Sequence, residues 1–239
     1  PVFCEDFRQW VLEDRFPAGR PRLEDVGVQF VADVAPFELM KIRILNGGHA
    51  AIAYPAGLLD IHFVHEAMQD AQIARFLSAL LDDEVIPVVP PVPDTDLAAY
   101  KRTIERRFAN PKIGDTIRRL CLDGSNRQPK FILPTLRDAL QAGRPIEGLA
   151  LVSALWCRYC YGETESRQSI QPNDPDWSRL TEQARLARSA PETWLAMHDI
   201  YGDLGQDEHF RRAFARALQR LWQSGTLASL DHYLTSRGA

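Results

Sequence analysis

The spacing of apolar positions changes near residue 33. Before it, short apolar and β-branched clusters at residues 10–12 and 26–31 are separated by prolines and glycine, a pattern typical of strands joined by turns. After it, apolar residues recur with a period of about 3.6, which is typical of amphipathic helices. We therefore predict that residues 1–33 form a small β segment and that residues 34–239 form a helical domain.

Prolines, glycines and polar clusters set the limits of the individual helices. Between residues 87 and 93, four prolines among valines predict a stiff, extended connector. The predicted helices cover residues 36–57, 64–85, 96–109, 112–122, 134–142, 146–161, 177–188, 192–201, 208–223 and 227–234.

Composition excludes several classes of function. The 239 residues are 45% hydrophobic and 25% charged, as in globular proteins. A net charge of −4 gives no basic excess for nucleic acid, and the apolar runs are too short to cross a membrane, which needs about 20 residues. We expect a cytoplasmic protein without nucleic-acid or membrane partners. Because the chain begins Pro-Val-Phe-Cys, we also expect it to be a piece of a longer protein.

The cysteines and histidines give no strong signal for a metal. Cys4, Cys121, Cys157 and Cys160 are too few for a disulfide framework. The C-x-x-C pair at 157–160 lies in an apolar segment without a second pair of ligands, which favours core packing over a zinc or redox role. We expect no metal.

Four polar residues lie on one face of the first predicted helix together with apolar ones. They are Glu38, Lys41, Asn46 and His49. Each must find a partner if it is buried, because an unpaired buried polar group costs a few kcal/mol, roughly. One alternative is that these residues pair internally, for instance Glu38 with Lys41 three residues later. The other is that they serve a bound molecule.

Two glycines interrupt the same helix. Gly47 and Gly48 stand between Asn46 and His49, where each costs up to ~1 kcal/mol relative to alanine. They indicate either a bend or a close approach to the backbone.

The segment 41–49, written K-x-x-x-x-N-G-x-H, resembles the signature of the polyol-specific long-chain dehydrogenase/reductase family, to which mannitol 2-dehydrogenases belong. Further similarity covers most of the first 130 residues, while the last hundred share only a general helical character. The similar segments are 8–14, 27–31, 33–37, 65–68, 84–87, 107–111 and 123–125.

The resemblance implies a domain organisation. In that family an N-terminal domain binds NAD or NADP, and a multi-helical C-terminal domain, similar to that of 6-phosphogluconate dehydrogenase, supplies the catalytic groups. Residues 1–33 would then be the end of the dinucleotide-binding domain. The sequence contains no G-x-G-x-x-G motif, so we expect the cofactor, with NAD favoured, to be bound mainly by an N-terminal domain that this chain lacks.

The resemblance also implies roles for the residues of the signature. Lys41 would be the general base, favoured in its neutral form by the apolar Ile42 and Leu45, because burial lowers the pKa of a lysine. Asn46 and His49 would hydrogen-bond the reacting oxygen and an adjacent hydroxyl. Glu38 would relay the proton outward, although a plain ion pair with Lys41 is an equal alternative.

Two further sets of residues complete the expected site. Gly47 and Gly48 would let the substrate or the edge of the nicotinamide lie against the helix. Among Arg118, Arg119, Arg127 and Lys130, we favour Arg119 as a substrate ligand, because a planar guanidinium can bond neighbouring hydroxyls. At position 127 family members often carry lysine.

These expectations lead to one functional hypothesis and several alternatives. The hypothesis is the substrate-binding and catalytic part of an NAD(P)-dependent enzyme that oxidises a polyol such as mannitol at C2 to a ketose such as fructose. The alternatives are a hexuronate reductase, a sugar-phosphate dehydrogenase, or a non-catalytic helical module that binds a partner protein. The sequence does not show which arginines face the site, so the choice of substrate stays open.

Overall fold

The computed structural model describes residues 4–5 and 7–237 of the chain. Its β segment consists of two short parallel strands, β1 (Val11–Glu13) and β2 (Gln29–Val31), in which Leu12 lies opposite Phe30. Residues 29–31 of the predicted apolar cluster at 26–31 thus form a strand, whereas Val26 ends a 3₁₀-helical turn, Leu23–Val26.

Helices make up most of the remaining described chain, which confirms the predicted mainly α, multi-helical fold with a short β segment. The helices are α1 (Ala35–Met40), α2 (Gly47–Leu58), α3 (Val64–Gln69), α4 (Ala71–Leu80), α5 (Leu97–Phe108), α6 (Ile117–Leu120), α7 (Gly124–Phe131), α8 (Leu133–Gln141), α9 (Glu147–Cys160), α10 (Trp177–Ala187), α11 (Glu192–Leu195), α12 (His198–Tyr201) and α13 (Glu208–Ser236). Wider π-helical turns follow α1 at Lys41–Asn46 and α4 at Leu81–Val85.

Several predicted helices are divided in the structure. The helix predicted over 64–85 breaks at Asp70, whose extended backbone ends α3 and whose carboxylate accepts hydrogen bonds from the amides of Gln72 and Ile73. An aspartate in this position is a favourable N-cap, so a new helix begins there. The helix predicted over 192–201 is likewise two short helices, α11 and α12.

One helix was not predicted at all. Helix α7 begins after Asp123, which has a left-handed backbone conformation, and contains Pro129 in its interior. Its composition is polar, so periodicity gives little signal. Ser125 fixes its first turn by donating a side-chain hydrogen bond to Asp174, which also accepts from the Ser125 amide. A contact from a distant loop therefore stabilises a segment that local sequence does not favour.

The last helix carries a kink where two helices were predicted. Gly225 has φ 82° and interrupts the helical geometry of α13. The carboxylate of Glu165 accepts a hydrogen bond from the amide of Thr226. The glycine and this carboxylate together end one helical segment and begin the next.

Helix α9 lies at the centre of the hydrophobic core. Residues 148–160 are all buried, and α9 packs against α2, α10 and α13. Cys157 and Cys160 are buried free thiols on this helix, so the prediction that they pack in the core is confirmed. The buried end of α2 packs on α9 through Tyr54 and Tyr159, whose ring centroids are 5.4 Å apart. This contact fixes α2, which carries the candidate site.

Within the described residues, no helix combines the length and apolar character that a bilayer crossing requires.

Candidate active site

The candidate residues lie on one continuous helical run, residues 35–58, that changes its winding in the middle. The Gly47 amide donates to the carbonyl of Ile42, five residues earlier, as in a π-helix. In an α-helix, residues five apart are separated by about 140° around the axis. The wider turns of a π-helix, with their i to i+5 bonding, reduce this angle. The wider turns therefore bring Lys41 and Asn46 to the same side of the helix.

Two adjacent pockets open beside this helix, and His49 and Arg119 belong to both. The first has a volume of about 190 Å³ and the second about 220 Å³. Asn46 and Tyr54 line the second pocket. The structure thus brings three residues predicted from sequence, Asn46, His49 and Arg119, together in the wall of the second pocket.

His49 is held as a neutral imidazole between the two pockets. Its ring stacks on Phe108, with centroids 4.1 Å apart and planes 14° from parallel. Burial lowers the pKa of His49 from its ordinary value of 6.5 to about 4; the carboxylate of Asp115 opposes this shift, and nearby arginines reinforce it. At neutral pH one ring nitrogen is a donor and the other an acceptor, which suits hydrogen bonding to a hydroxyl group.

The buried imidazole should make folding stability fall on acidification. As the pH drops below 6.5, the unfolded chain binds the proton before the folded chain does, so stability is lost down to about pH 4. The shift of His49 corresponds to a loss of about 2 to 3 kcal/mol at pH 4.5. Urea unfolding of the full-length protein and of a His49→Gln variant, at pH 7 and pH 4.5, measures this contribution.

The wild type and the His49→Gln variant must be compared because Glu84 changes the folding stability in the opposite direction as the pH falls. Burial raises the pKa of Glu84 to about 7, so its protonation favours the folded state as the pH falls. Glu84 is present in both proteins and cancels in the difference. Equal losses of unfolding free energy in wild type and His49→Gln would contradict the assignment.

Arg119 is paired with a carboxylate at the edge of the pockets. Its Nε and Nη2 groups donate to the two carboxylate oxygens of Asp115, and this pairing lowers the pKa of Asp115 below its ordinary value. Arg107 pairs in the same way with Glu5 in the first pocket. Two of the cationic groups at the site are therefore neutralised.

Arg127 differs from these two arginines. It lines the second pocket, and its Nη1 group donates to the carbonyl oxygen of Leu120 at 3.0 Å and more weakly to that of Arg119. Arg118 donates to the carbonyls of Gln171 and Pro172 and lies outside both pockets. Among the four candidates, only Arg119 and Arg127 therefore face the site, because Lys130 is also outside the pocket walls.

The expectation that Lys41 lies in apolar surroundings is wrong for this chain. Lys41 and Glu38 are both exposed, while Ile42 and Leu45 are half-buried. Among the ion pairs of residues 4–5 and 7–237, none joins Glu38 to Lys41. Leu45 lines the first pocket, whereas Lys41 and Glu38 belong to the wall of neither pocket.

The expected role of the two glycines also needs correction. A Cβ at Gly47 would lie 3.2 Å from the carbonyl oxygen of Phe131, and one at Gly48 would lie 3.4 Å from the ring of Phe108. Both glycines are buried. The close approach that the glycines permit is therefore between parts of this chain. The chain itself covers the face of each glycine where a side chain would stand, so that face is not open to a nicotinamide.

Several residues that line the site were given no role from the sequence, among them Asp115, Phe108 and Tyr54. Phe108 lies in the similar segment 107–111, whereas Asp115 and Tyr54 lie in none of the similar segments. The spacing of four residues between Asp115 and Arg119 is a signal for the ion pair. In the described part of the chain, no group of three or more His, Cys, Asp or Glu side chains is arranged to hold a metal ion.

Comparisons with known proteins assign this architecture to a family. Residues 33–222 match the family model of the mannitol dehydrogenase C-terminal domain. A mannitol 2-dehydrogenase from Cereibacter sphaeroides is 57% identical over 236 residues, which are 99% of this chain and 50% of that protein. A mannitol 2-dehydrogenase from Aspergillus oryzae is 36% identical over 98% of this chain and 47% of its own length.

Solved structures give the same result. The ternary complex of Pseudomonas fluorescens mannitol 2-dehydrogenase with NAD and D-mannitol superposes with a TM-score of 0.91 at 40% identity, covering 99% of this chain and 48% of that one. A substrate-free D-sorbitol dehydrogenase superposes with a TM-score of 0.86 at 29% identity. The match covers 94% of this chain and 46% of the chain of the sorbitol dehydrogenase. The chain spans about half the length of the relatives it matches. It belongs to the mannitol dehydrogenase family and contains the C-terminal domain that is typical of that family.

Proposed function

We propose that the full-length protein is an NAD-dependent polyol dehydrogenase that oxidises mannitol at C2 to fructose. The observation that carries this proposal is the convergence of Asn46, His49 and Arg119 on one pocket, beside a second pocket that shares His49 and Arg119. All three are hydrogen-bond donors without excess charge, because the imidazole is neutral and the guanidinium is paired. The complex of the P. fluorescens relative with NAD and D-mannitol supports this choice of cofactor and substrate.

The reaction removes a proton from the hydroxyl oxygen and a hydride from the carbon that bears it. Lys41 accepts the proton, while Asn46 and His49 donate hydrogen bonds to the oxygen as negative charge develops on it. Arg119 holds a neighbouring hydroxyl and so fixes the orientation of the polyol. The nicotinamide, when bound, supplies the hydride acceptor. Glu38, exposed and one turn before Lys41, passes the proton to solvent.

Because Lys41 is exposed in this chain, a second part of the protein has to shield it from water. We propose that a dinucleotide-binding domain covers the exposed face that carries Glu38 and Lys41, and that it withdraws the lysine from water. The residues described here suit the substrate and not the dinucleotide, because Gly47 and Gly48 are covered by their own chain. The cofactor is therefore held mainly outside this chain, and the base is a lysine without a metal.

The β segment supports the same organisation. We propose that residues 1–33 are the end of the dinucleotide-binding domain. Strands β1 and β2 form a parallel pair, and parallel sheets are normally larger and covered on both faces. The side chains of Trp10, Phe16 and Val26 are exposed by 58%, 40% and 65%, which is unusual for apolar residues in one short segment. The free cysteines are compatible with the reducing cytoplasm, where we place the protein.

A substrate panel tests the proposal. The full-length protein should oxidise mannitol with NAD and reduce fructose with NADH, with lower kcat/KM for the NADP couple. Initial rates of nicotinamide absorbance change measure both directions. Turnover confined to hexuronates or sugar phosphates would assign the protein to another activity of the family. Absence of turnover with every polyol and ketose would favour the non-catalytic module.

A further inference from the structure

Within the described residues, two of the three arginines that line the pockets are neutralised by carboxylates from different parts of the chain. Arg107 on α5 meets Glu5 near the start of the chain, and Arg119 on α6 meets Asp115 just before that helix. His49 contributes no charge at neutral pH. Arg127 is the remaining arginine of the pocket walls, and the described residues provide it with carbonyl oxygens instead of a carboxylate.

The position of Asp115 is fixed by the backbone. Its Oδ1 atom accepts a hydrogen bond from the Thr116 amide at 2.9 Å, and its carbonyl oxygen accepts one from the Val64 amide at 3.0 Å. The side chain of Asp115 is 15% exposed, whereas that of Arg119 is 53% exposed. The carboxylate is thus the anchored partner, and the longer arginine side chain is held by it.

The anchoring determines what Arg119 offers to a ligand. Nε and one N–H of Nη2 are directed at the carboxylate, so the hydrogen-bonding capacity that remains belongs to the outer edge of the guanidinium. This edge can donate to hydroxyl oxygens. Its positive charge, however, is cancelled within the pair, so it attracts an anion much less than an unpaired arginine would.

We propose that Asp115 is a specificity-determining residue that makes the pocket selective for uncharged polyols and ketoses over sugar acids and sugar phosphates. The inference rests on the proposed function of the same site. A carboxylate or phosphate group placed near Arg119 meets a pair without net charge, so it gains no attraction to offset the loss of its own water shell. A hydroxyl group needs no such compensation, because it carries no charge.

The test compares neutral and anionic ketoses in the full-length protein. Reduction of fructose, fructuronate and fructose 6-phosphate by NADH is measured for wild type, Asp115→Asn and Asp115→Glu. In Asp115→Asn, kcat/KM should fall for fructose, mainly through KM, and should not fall for the anions. The ratio of neutral to anionic kcat/KM should therefore drop at least tenfold. Asp115→Glu keeps the charge and should restore the ratio to within about threefold of wild type.

A matched control separates this effect from a general loss of an ion pair. Asp203 accepts two hydrogen bonds from Arg137 on α8, outside both pockets, so Asp203→Asn should leave the ratio unchanged. If Asp115 only stabilises the fold, Asp115→Asn lowers all three values by the same factor, and the constant ratio overturns the inference. A wild-type preference for either anion also overturns it. Wild-type inactivity with all three ketoses refutes the proposed function itself, and this inference with it.

Discussion

Replacing Lys41 by alanine in the full-length protein should lower kcat for mannitol oxidation by about 10²- to 10⁴-fold, the usual contribution of a general base. The proton of the alcohol then has to pass to a weaker base than an amine. Lys41 is exposed within this chain, and covering its amine by the second domain carries a desolvation cost, so its loss should not lower the melting temperature of the protein. Steady-state rates with saturating NAD, together with thermal unfolding, measure the two effects.

Chemical rescue distinguishes the loss of a base from other causes. A small primary amine added to Lys41→Ala should restore part of the rate in proportion to its concentration, because it can occupy the space of the missing side chain and accept the proton. Lys112→Ala, at a second exposed lysine that does not belong to the segment 41–49, is the control and should retain wild-type rates. A Lys41→Ala rate within threefold of wild type would exclude the lysine as the base.

The second large effect is expected at His49. His49→Ala should lower kcat/KM for mannitol by about 10²- to 10³-fold, which is the typical result of removing one donor to a developing oxyanion. The imidazole also stacks on Phe108, so the alanine variant loses a packing contact as well. Rates with mannitol and with fructose, measured with the same protein preparation, show whether both directions lose the same factor.

A variant that keeps a donor separates hydrogen bonding from packing. His49→Asn retains an N–H group and should recover part of the rate lost in His49→Ala, whereas His49→Leu fills space without a donor and should not. Added primary amine should rescue neither variant, in contrast to Lys41→Ala. Equal rates in His49→Asn and His49→Leu would show that the imidazole acts through packing alone.

Much of the fold follows from local sequence because its signals are local. Helices such as α9 and α10 begin and end within a few residues of the predicted limits, since an apolar stripe with clear end signals is enough to define them. Helix α7 could not be predicted, because a contact with Asp174, far away in sequence, fixes its first turn. The break at Asp70 was missed because an apolar stripe continues across it.

The candidate site shows where sequence reasoning ends. The motif gave Asn46 and His49, and the preference for Arg119 among four candidates agrees with the position of Arg119 on the pocket wall. The prediction of apolar surroundings for Lys41 was wrong for this chain, because apolar neighbours in the sequence do not tell which face of a helix the rest of the chain covers. Asp115 was missed, although it lies four residues before Arg119, because it belongs to the loop before α6 and not to a helix with an apolar stripe.

The π-helical turns at Lys41–Asn46 have a consequence for how this site can vary among related chains. An added or removed residue within them would turn everything that follows by about 100° relative to what precedes. His49 would then leave the pockets even though every chemical group had been kept. The number of residues between the lysine and the histidine should therefore tolerate less change than the identity of the side chains between them.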